Sequence, residues 1–470
     1  MFFSLNKTFD GIALRTEKEN WSYEKLFEES EKIADAIGGR SLVFLLCTNT
    51  PESVAGYVGC INHRIVPAMS DAESDGELLN RLIDLYRPPF IWTPEVRSKD
   101  FPQYKKIFSL GNYILLSAEE KKSFNLHEEL ALLMTTSGST GSPKFVRLTY
   151  KNILSNTESI IEYLKINEQD CAITNLPMHY VYGLSIINTH LYVGASVVVT
   201  EKNLFQKEFW QLVREQKVTN LNGVPYTFEM LNRLRFFRTD LPELKTITQA
   251  GGKLDPELHK KFAEYAEQQN KKFFVMYGAA EATARMGYLP PEVSLKKFGS
   301  MGIAIPGGKF ELLDEEGNII DGENISGELV YHGANVMAGY AESGEDLSKG
   351  DEMNGTLRTG DIARRDGEGF YTIVGRKKRF LKMFGKRTNL QETEHILRRH
   401  FDISEVACGG VDDKLFIFLT DNSVAENVIP YLSAKLGLHP SAFRVKCIDE
   451  IPKNVSGKIL YRELEQYYDV

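Results

Sequence analysis

Residues Thr135–Lys144 read TTSGSTGSPK, a run of hydroxyls and glycines that ends in a proline and a lysine. Small residues let successive backbone N–H groups turn toward an anion, hydroxyls donate further hydrogen bonds, and Lys144 adds a positive charge. The chemistry this combination suits is the gripping of phosphate. A P-loop would need GxxxxGK followed by Ser or Thr and then a helix. Here Lys144 follows Pro143, Phe145 comes next, and FVRL reads as a strand. ELALLM before the run reads as another strand, so the setting is strand–loop–strand rather than a linker or a P-loop.

Other charged residues sit in motifs of small residues: Lys458 in PKNVSGKI and Glu281 in MYGAAE. Taken alone, Glu281 is a favourable charge at a helix start, and Thr-Gly-Asp ending at Asp361 is a turn.

The elements that must position these groups are legible from pattern. Ser22 caps a helix carrying Leu26, Ile33 and Ile37 on one face. LVFLLC from Leu42 reads as a strand buried on both faces, and Thr50-Pro51 as a helix start. VPAM from Val66, ELLNRLIDLYR from Glu77 and FIW from Phe90 continue a strand–helix–strand alternation. SVVV from Ser196, the helix PELHKKFAEYAEQQ and KFFVMYG from Lys272 repeat it. Such alternation predicts parallel sheets covered on both sides. Near residue 300 the texture changes to short apolar runs broken by Gly, Asn and Asp, which predicts hairpins and a small β-rich subdomain. Mixed α/β texture resumes with QETEHILRRHF and KLFIFLT, and a domain boundary is expected near Gly375–Lys378.

Bulk properties exclude several classes. At 470 residues the chain is long enough for roughly two to four domains. A net charge of −8 argues against nucleic acid or an anionic membrane surface as a whole-surface partner. The five cysteines are scattered and never spaced as CxxC, which predicts reduced thiols rather than a disulfide frame or zinc site. His395 and His400, five apart, fall on different faces of one helix. MFFSLNKTF is too brief for a signal peptide, and no apolar run is long enough to span a bilayer. The expected location is the cytoplasm.

Across nearly the whole chain, these motifs and their order resemble the adenylate-forming superfamily of acyl- and aryl-CoA synthetases, adenylation domains and luciferases. The matching segments are TTSGSTGSPK, LPMHYVYGL (Leu176–Leu184), QAGGKL (Gln249–Leu254), MYGAAE (Met276–Glu281), GELVYHGANVMAGY (Gly327–Tyr340), RTGD ending at Asp361, GRKKRFLKMFGKR from Gly375, and PKNVSGKI. WSYEKL from Trp21 resembles an early family helix start. The resemblance implies an α/β fold: a large domain of doubly wound sheets over 1–375, with a small β-barrel-like subdomain about 299–375, and a small mobile α+β domain over 376–470.

It also implies roles. Thr136, Ser137, Gly138, Ser139, Thr140, Gly141 and Lys144 would hold the phosphates of ATP. Gly251, Gly252, Met276, Tyr277, Gly278, Ala279 and Ala280 would lie along the nucleotide, with Tyr277 stacked on adenine. Glu281 would hold Mg²⁺, with Thr136 as a second candidate ligand. Asp361 and Arg376 would bind the ribose. Lys458 would be the mobile cation reaching both acyl carboxylate and phosphate, so the catalytic set is Lys458, Glu281 and Thr136. His179, Tyr180, Gly223, Val224 and Tyr226 would line the acyl pocket. Lys378 would be the hinge of a domain rotation, although KKR alone is a solvated basic turn. Lys382, Lys386 and Arg387 could attract an acidic phosphopantetheine donor or carrier protein.

The implied activity is ATP-dependent activation of a carboxylic acid to an acyl-adenylate with release of pyrophosphate. Transfer to a pantetheine thiol, of CoA or an acyl carrier protein, would follow. LPMHYVYGL contains no carboxylate to pair with an ammonium, which favours a non-amino acid. An amino-acid–carrier ligase, an amide-forming ligase and an inactive nucleotide-binding relative are the alternatives. Two positions depart from the pattern: Ala280 replaces the usual threonine, and Phe145 replaces the usual glycine, reshaping the loop exit or packing into the core.

Overall fold

In the computed structural model, which describes residues 11–120, 124–135, 144–384, 386–453, 457 and 459–468, local sequence signals set the element ends. Ser22 accepts a hydrogen bond from the Lys25 amide to cap the helix Tyr23–Ile37, which buries Leu26, Ile33 and Ile37. Thr50 caps Pro51–Asn62, with Pro51 in the first turn where its missing N–H costs nothing. Asp75 caps Gly76–Tyr86 in the same way. LVFLLC forms the strand Leu42–Cys47, buried at every position.

The contacts divide the chain into two units: Met1–Phe310 with Tyr331–Leu357, and Glu311–Val330 with Arg358–Val470. In the first unit, Leu42–Cys47 pairs in parallel with Val66–Asp71 and Phe90–Pro94 at the centre of an eight-stranded sheet. A nine-stranded sheet holds six neighbouring parallel strands, Ile12–Arg15, Ser196–Val198, Cys171–Ile173, Asn220–Gly223, Thr246–Gln249 and Lys272–Tyr277. The helix Val181–Val193 has every residue from Val181 through Leu191 buried. Ligands of such open parallel sheets bind beyond the carboxyl ends of the strands, and Gly223, Gly251 and Tyr277 stand at or just after those ends.

Phe145 is fully buried, edge-on to Tyr86 at 5.0 Å and to Phe44 at 6.1 Å between ring centroids. Its bulk therefore goes into the core beneath the strand Phe145–Thr149.

In the second unit, Thr356–Arg365 and Tyr371–Arg376 form an antiparallel pair around the Asp366–Gly369 turn, within a four-stranded sheet. A three-stranded sheet of Val406–Val411, Lys414–Leu419 and Phe443–Cys447 packs with the helices Leu390–Phe401 and Ala425–Leu436 around Leu397, Ile417 and Val428. The contact division groups Arg358–Gly375 with the C-terminal residues, whereas the sequence expectation grouped them with the large domain. Among the described residues, no helix is long and apolar enough to cross a membrane.

Candidate active site

The strands Leu130–Thr135 and Phe145–Thr149 are antiparallel neighbours with Thr135 opposite Phe145, so the phosphate-loop sequence joins two adjacent strand ends. Thr136, Ser137, Gly138, Ser139, Thr140, Gly141 and Lys458 lie outside the described residues, as do the side chains of Lys378, Lys386 and Arg387.

Lys144 is described, and its Nζ stands 3.7 Å from the centroid of the Tyr340 ring. The Tyr340 hydroxyl donates to Glu281 Oε1 at 2.8 Å. Burial and the neighbouring Glu281 carboxylate push the Tyr340 phenol well above its ordinary range, so it stays protonated and donates. A cation, a ring and a carboxylate thus form one connected row. Tyr340 ends the segment GELVYHGANVMAGY, whose resemblance implies no role for it. Its partner lies 59 positions away, and no local pattern reports such a pairing.

Glu281 sits in the 3-10 turn Ala280–Ala282. The Met337 amide donates to the Glu281 carbonyl, Thr283 Oγ1 to the Asn335 carbonyl, and Asn335 Nδ2 to the carbonyls of Ala282 and Arg285. GANVMAGY is therefore a strap that fixes the turn carrying the carboxylate. The only side-chain hydrogen bond of Glu281 among the described residues is the one from Tyr340. That leaves carboxylate capacity for Mg²⁺, which is usually bound through one or two carboxylates plus substrate phosphates. Lys144, over the ring of the same tyrosine, suits the same anionic ligand.

The nucleotide candidates Met276 and Tyr277 end the strand Lys272–Tyr277. Met276 is buried, with Tyr163 Oη 3.0 Å from its sulfur. The Tyr277 ring lies 6.3 Å from Phe310. A Cβ on Gly278 would collide with the Ala284 carbonyl, so glycine is required where the chain doubles back. Gly251, at φ +87, would bring a Cβ 2.7 Å from Tyr180 Oη, and Gly252 would bring one 3.1 Å from Pro225 Cγ. Both glycines keep that face low enough for a flat ligand. Ala279 precedes the turn in extended conformation, and Ala280 packs against the core cluster.

At the acyl-pocket candidates, Gly251 meets Tyr180 and Val224, which places three of the predicted wall residues together. Gly223 ends its strand, where a Cβ would lie 2.7 Å from the Thr227 methyl. Tyr226, by contrast, is 46 % exposed at the start of the helix Pro225–Arg233. His179 Nε2 lies 3.7 Å from Asp71 Oδ2. Burial depresses its pKa more than Asp71 and Glu73 raise it. LPMHYVYGL has no acid of its own, yet strand Val66–Asp71 delivers one to it. A partner 108 positions away in the chain left no local signal.

In the second unit, Asp361 and Arg376 face each other across the strand pair, with Arg376 Nε donating to Asp361 Oδ1 at 3.0 Å. Asp361 is buried. Next to them, Glu328 takes Arg358 at 2.5 Å and Lys377 at 3.1 Å. The hydrogen bond from Arg358 holds the Glu328 carboxyl below its usual range despite partial burial.

Comparison with known proteins adds to this geometry. Residues 3–341 match a family model described as AMP-binding enzyme. The 2-succinylbenzoate–CoA ligase of Bacillus pumilus (strain SAFR-032) is 27% identical over 480 residues, covering 97% of this chain and 95% of that protein. The oxalate–CoA ligase of Arabidopsis thaliana is 28% identical over 384 residues, covering 77% and 74%. Among solved structures, o-succinylbenzoate CoA synthetase (MenE) from Bacillus subtilis, in complex with the acyl-adenylate intermediate OSB-AMP, has a TM-score of 0.79 at 23% identity, covering 97% of this chain and 96% of its own. ATP-bound MatB from Rhodopseudomonas palustris also has a TM-score of 0.79, at 20% identity, covering 98% and 96%. At those identities the structural likeness carries the α/β fold.

Proposed function

Since this chain belongs to the AMP-binding enzyme family, we propose that it joins a carboxylic acid to ATP as an acyl-adenylate and then passes the acyl group to the thiol of CoA. A carboxylate oxygen of the acid attacks the α-phosphorus. The bond from that phosphorus to the bridging oxygen breaks, and pyrophosphate leaves. The thiol sulfur then attacks the acyl carbon of the mixed anhydride, AMP departs, and the thiol proton passes to solvent or a base. The relatives named as CoA ligases favour CoA as acceptor; an acyl carrier protein would offer the same pantetheine thiol.

The observation that carries this reading is the row Lys144–Tyr340–Glu281. It sets one cation on the face of the Tyr340 ring and one carboxylate at its hydroxyl, at the end of the phosphate-loop sequence. Lys144 offsets charge on the phosphates, and the Tyr340 hydroxyl holds the Glu281 carboxylate in place. Mg²⁺ held by Glu281, with Thr136 as a further ligand, would supply positive charge as the phosphates separate. Gly251, Gly252 and Tyr277 give the base a flat surface, while Asp361 and Arg376 offer an acceptor and a donor to the ribose hydroxyls. His179, Tyr180, Gly223 and Val224 receive the acyl group. Lys458 supplies the second cation, at the α-phosphate. A cytoplasmic setting suits the five unpaired cysteines.

The test is acid-dependent ATP–pyrophosphate exchange, screened over short, medium, aromatic and hydroxy acids with wild type and Lys458→Ala. At least one acid should drive exchange, and the substitution should cut it by about 10²–10³-fold, the usual loss on removing a transition-state charge donor. Absence of any acid-dependent signal that the substitution lowers would sink the proposal.

A further inference from the structure

Lys378 and Lys458 lie far apart in the chain, yet residues close to each of them meet in one cluster of the second unit. Arg379, the residue after Lys378, ends the turn Lys377–Arg379. Its Nη2 donates to Glu394 Oε1 at 2.6 Å, and the two side chains are only 11 % and 4 % exposed. Tyr461, three residues after Lys458, begins the 3-10 turn Tyr461–Tyr467. Its hydroxyl donates to Glu394 Oε2 at 3.1 Å, and the Arg379 guanidinium carbon lies 3.6 Å over the centre of its ring. Burial and the neighbouring carboxylate hold the Tyr461 phenol far above its ordinary range, so it stays protonated and donates.

The same cluster grips the sheet. Val406–Val411 is an edge strand of the three-stranded sheet. At Cys408 its amide donates to Glu394 Oε1 at 2.7 Å, and its carbonyl accepts from Arg379 Nη1 at 2.6 Å. Backbone groups that an edge strand leaves open are satisfied there by side chains. A buried ion pair adds little net stability, because desolvation offsets the attraction. Its directional hydrogen bonds do fix geometry. The helix Leu390–Phe401, which carries Glu394, the edge strand, the turn Lys377–Arg379 and the chain after Lys458 are thus tied at one point.

The segment that carries Lys458 is also closed on itself. Lys453 and Ile459 form an antiparallel bridge, and the Leu460 amide donates to the Pro452 carbonyl at 2.8 Å. Lys453 Nζ reaches Glu405 at 2.5 Å. On either side of the segment, Ile451 and Leu464 are buried with Phe416 and Phe418.

We propose that Arg379, Glu394 and Tyr461 are positioning residues for Lys458: they clamp the segment that carries the lysine to the turn at Lys378, so that hinge and lysine travel as one body. The inference rests on the acyl-adenylate reading above, in which Lys458 serves attack at the α-phosphorus rather than the later attack by thiol.

The experiment compares Tyr461→Phe and Glu394→Gln with wild type in both half-reactions. Tyr461→Phe keeps the ring against Arg379 and removes one bond to a carboxylate. Its Tm should change little, while its pyrophosphate-exchange kcat falls about 10-fold. KM for ATP and acid, and thioester formation from preformed acyl-adenylate, should stay within about twofold, because only the adenylation transition state uses the lysine. In a Lys458→Ala background the same substitution should add less than about twofold, since nothing is left to position. Glu394→Gln should show the same pattern more strongly, and Tyr461→Phe decides the matter if Glu394→Gln fails to fold. Amide hydrogen exchange of peptides spanning residues 450–460 gives a readout without turnover, and it should be faster in both variants. Unchanged amide exchange there, unchanged kcat, parallel loss of both half-reactions, or full additivity with Lys458→Ala would overturn the positioning role. If no acid drives pyrophosphate exchange in wild type, the adenylation reading falls and amide exchange alone judges the clamp: faster exchange keeps it, and unchanged exchange removes it.

Discussion

Tyr340 does two separable things with one side chain. Its ring lies under the Lys144 ammonium, and its hydroxyl donates to Glu281. Tyr340→Phe keeps the ring and removes the donor, so adenylation kcat should fall about 10- to 100-fold, the worth of a hydrogen bond to a charged group, with little change in Tm. Tyr340→Ala also removes the cation's platform and should fall further, by about 0.5–1 kcal/mol for a partly exposed cation–π contact. Equal kcat in the two variants would contradict the account of the ring, and an unchanged Tyr340→Phe would contradict that of the hydroxyl. Residue types were readable here but partnerships were not. Glu281 and Lys144 announce themselves by motif. Tyr340 looks like any core tyrosine until the distant strands that surround it are known.

Elements were more legible, because caps and periodicity act within a few residues. The helices begin at Ser22 and Thr50 where hydroxyl caps predicted them, and LVFLLC is buried on both faces. What periodicity could not report is how an element's polar residue is satisfied. On the helix Pro256–Gln268, His259 is buried, with Nε2 at 2.8 Å from Ser294 Oγ and Nδ1 accepting from the Gly299 amide at 3.2 Å. A second proton would have to sit on Nδ1, facing that N–H. Burial depresses the pKa from 6.5 to about 4. Between those values the unfolded chain binds a proton that the folded chain does not, so stability falls as pH drops from 6.5 toward about 4 and this contribution levels off below that. His259→Gln should cost stability at neutral pH yet flatten that acid limb, read as Tm against pH. An acid limb of unchanged slope would remove His259 as its source.

At the scale of the whole molecule, the chain has two units with separate cores, one around the large sheets and one around Leu397, Ile417 and Val428. The candidate residues are divided between them: Lys144, Glu281 and the acyl-pocket set in the first, Asp361, Arg376 and Lys458 in the second. Phosphoryl attack and thiol attack differ in geometry, and a swivel that moves Lys458 between the two steps is an economical answer; Lys378 lies inside the second unit, between Arg376 and Lys458 in the chain. The proposed swivel is Lys378, in the turn Lys377–Arg379 that follows the strand Tyr371–Arg376. Proline at this position fixes φ near −65° and restricts the preceding residue as well. If adenylation occurs in one arrangement and thioester formation in another, Lys378→Pro should keep acid-dependent pyrophosphate exchange within a few-fold of wild type. It should also cut CoA-thioester formation by about tenfold or more, measured by presenting preformed acyl-adenylate and following loss of free thiol. Parallel loss of both half-reactions would move the hinge elsewhere, and retention of both would mean that no rotation at Lys378 separates the two steps.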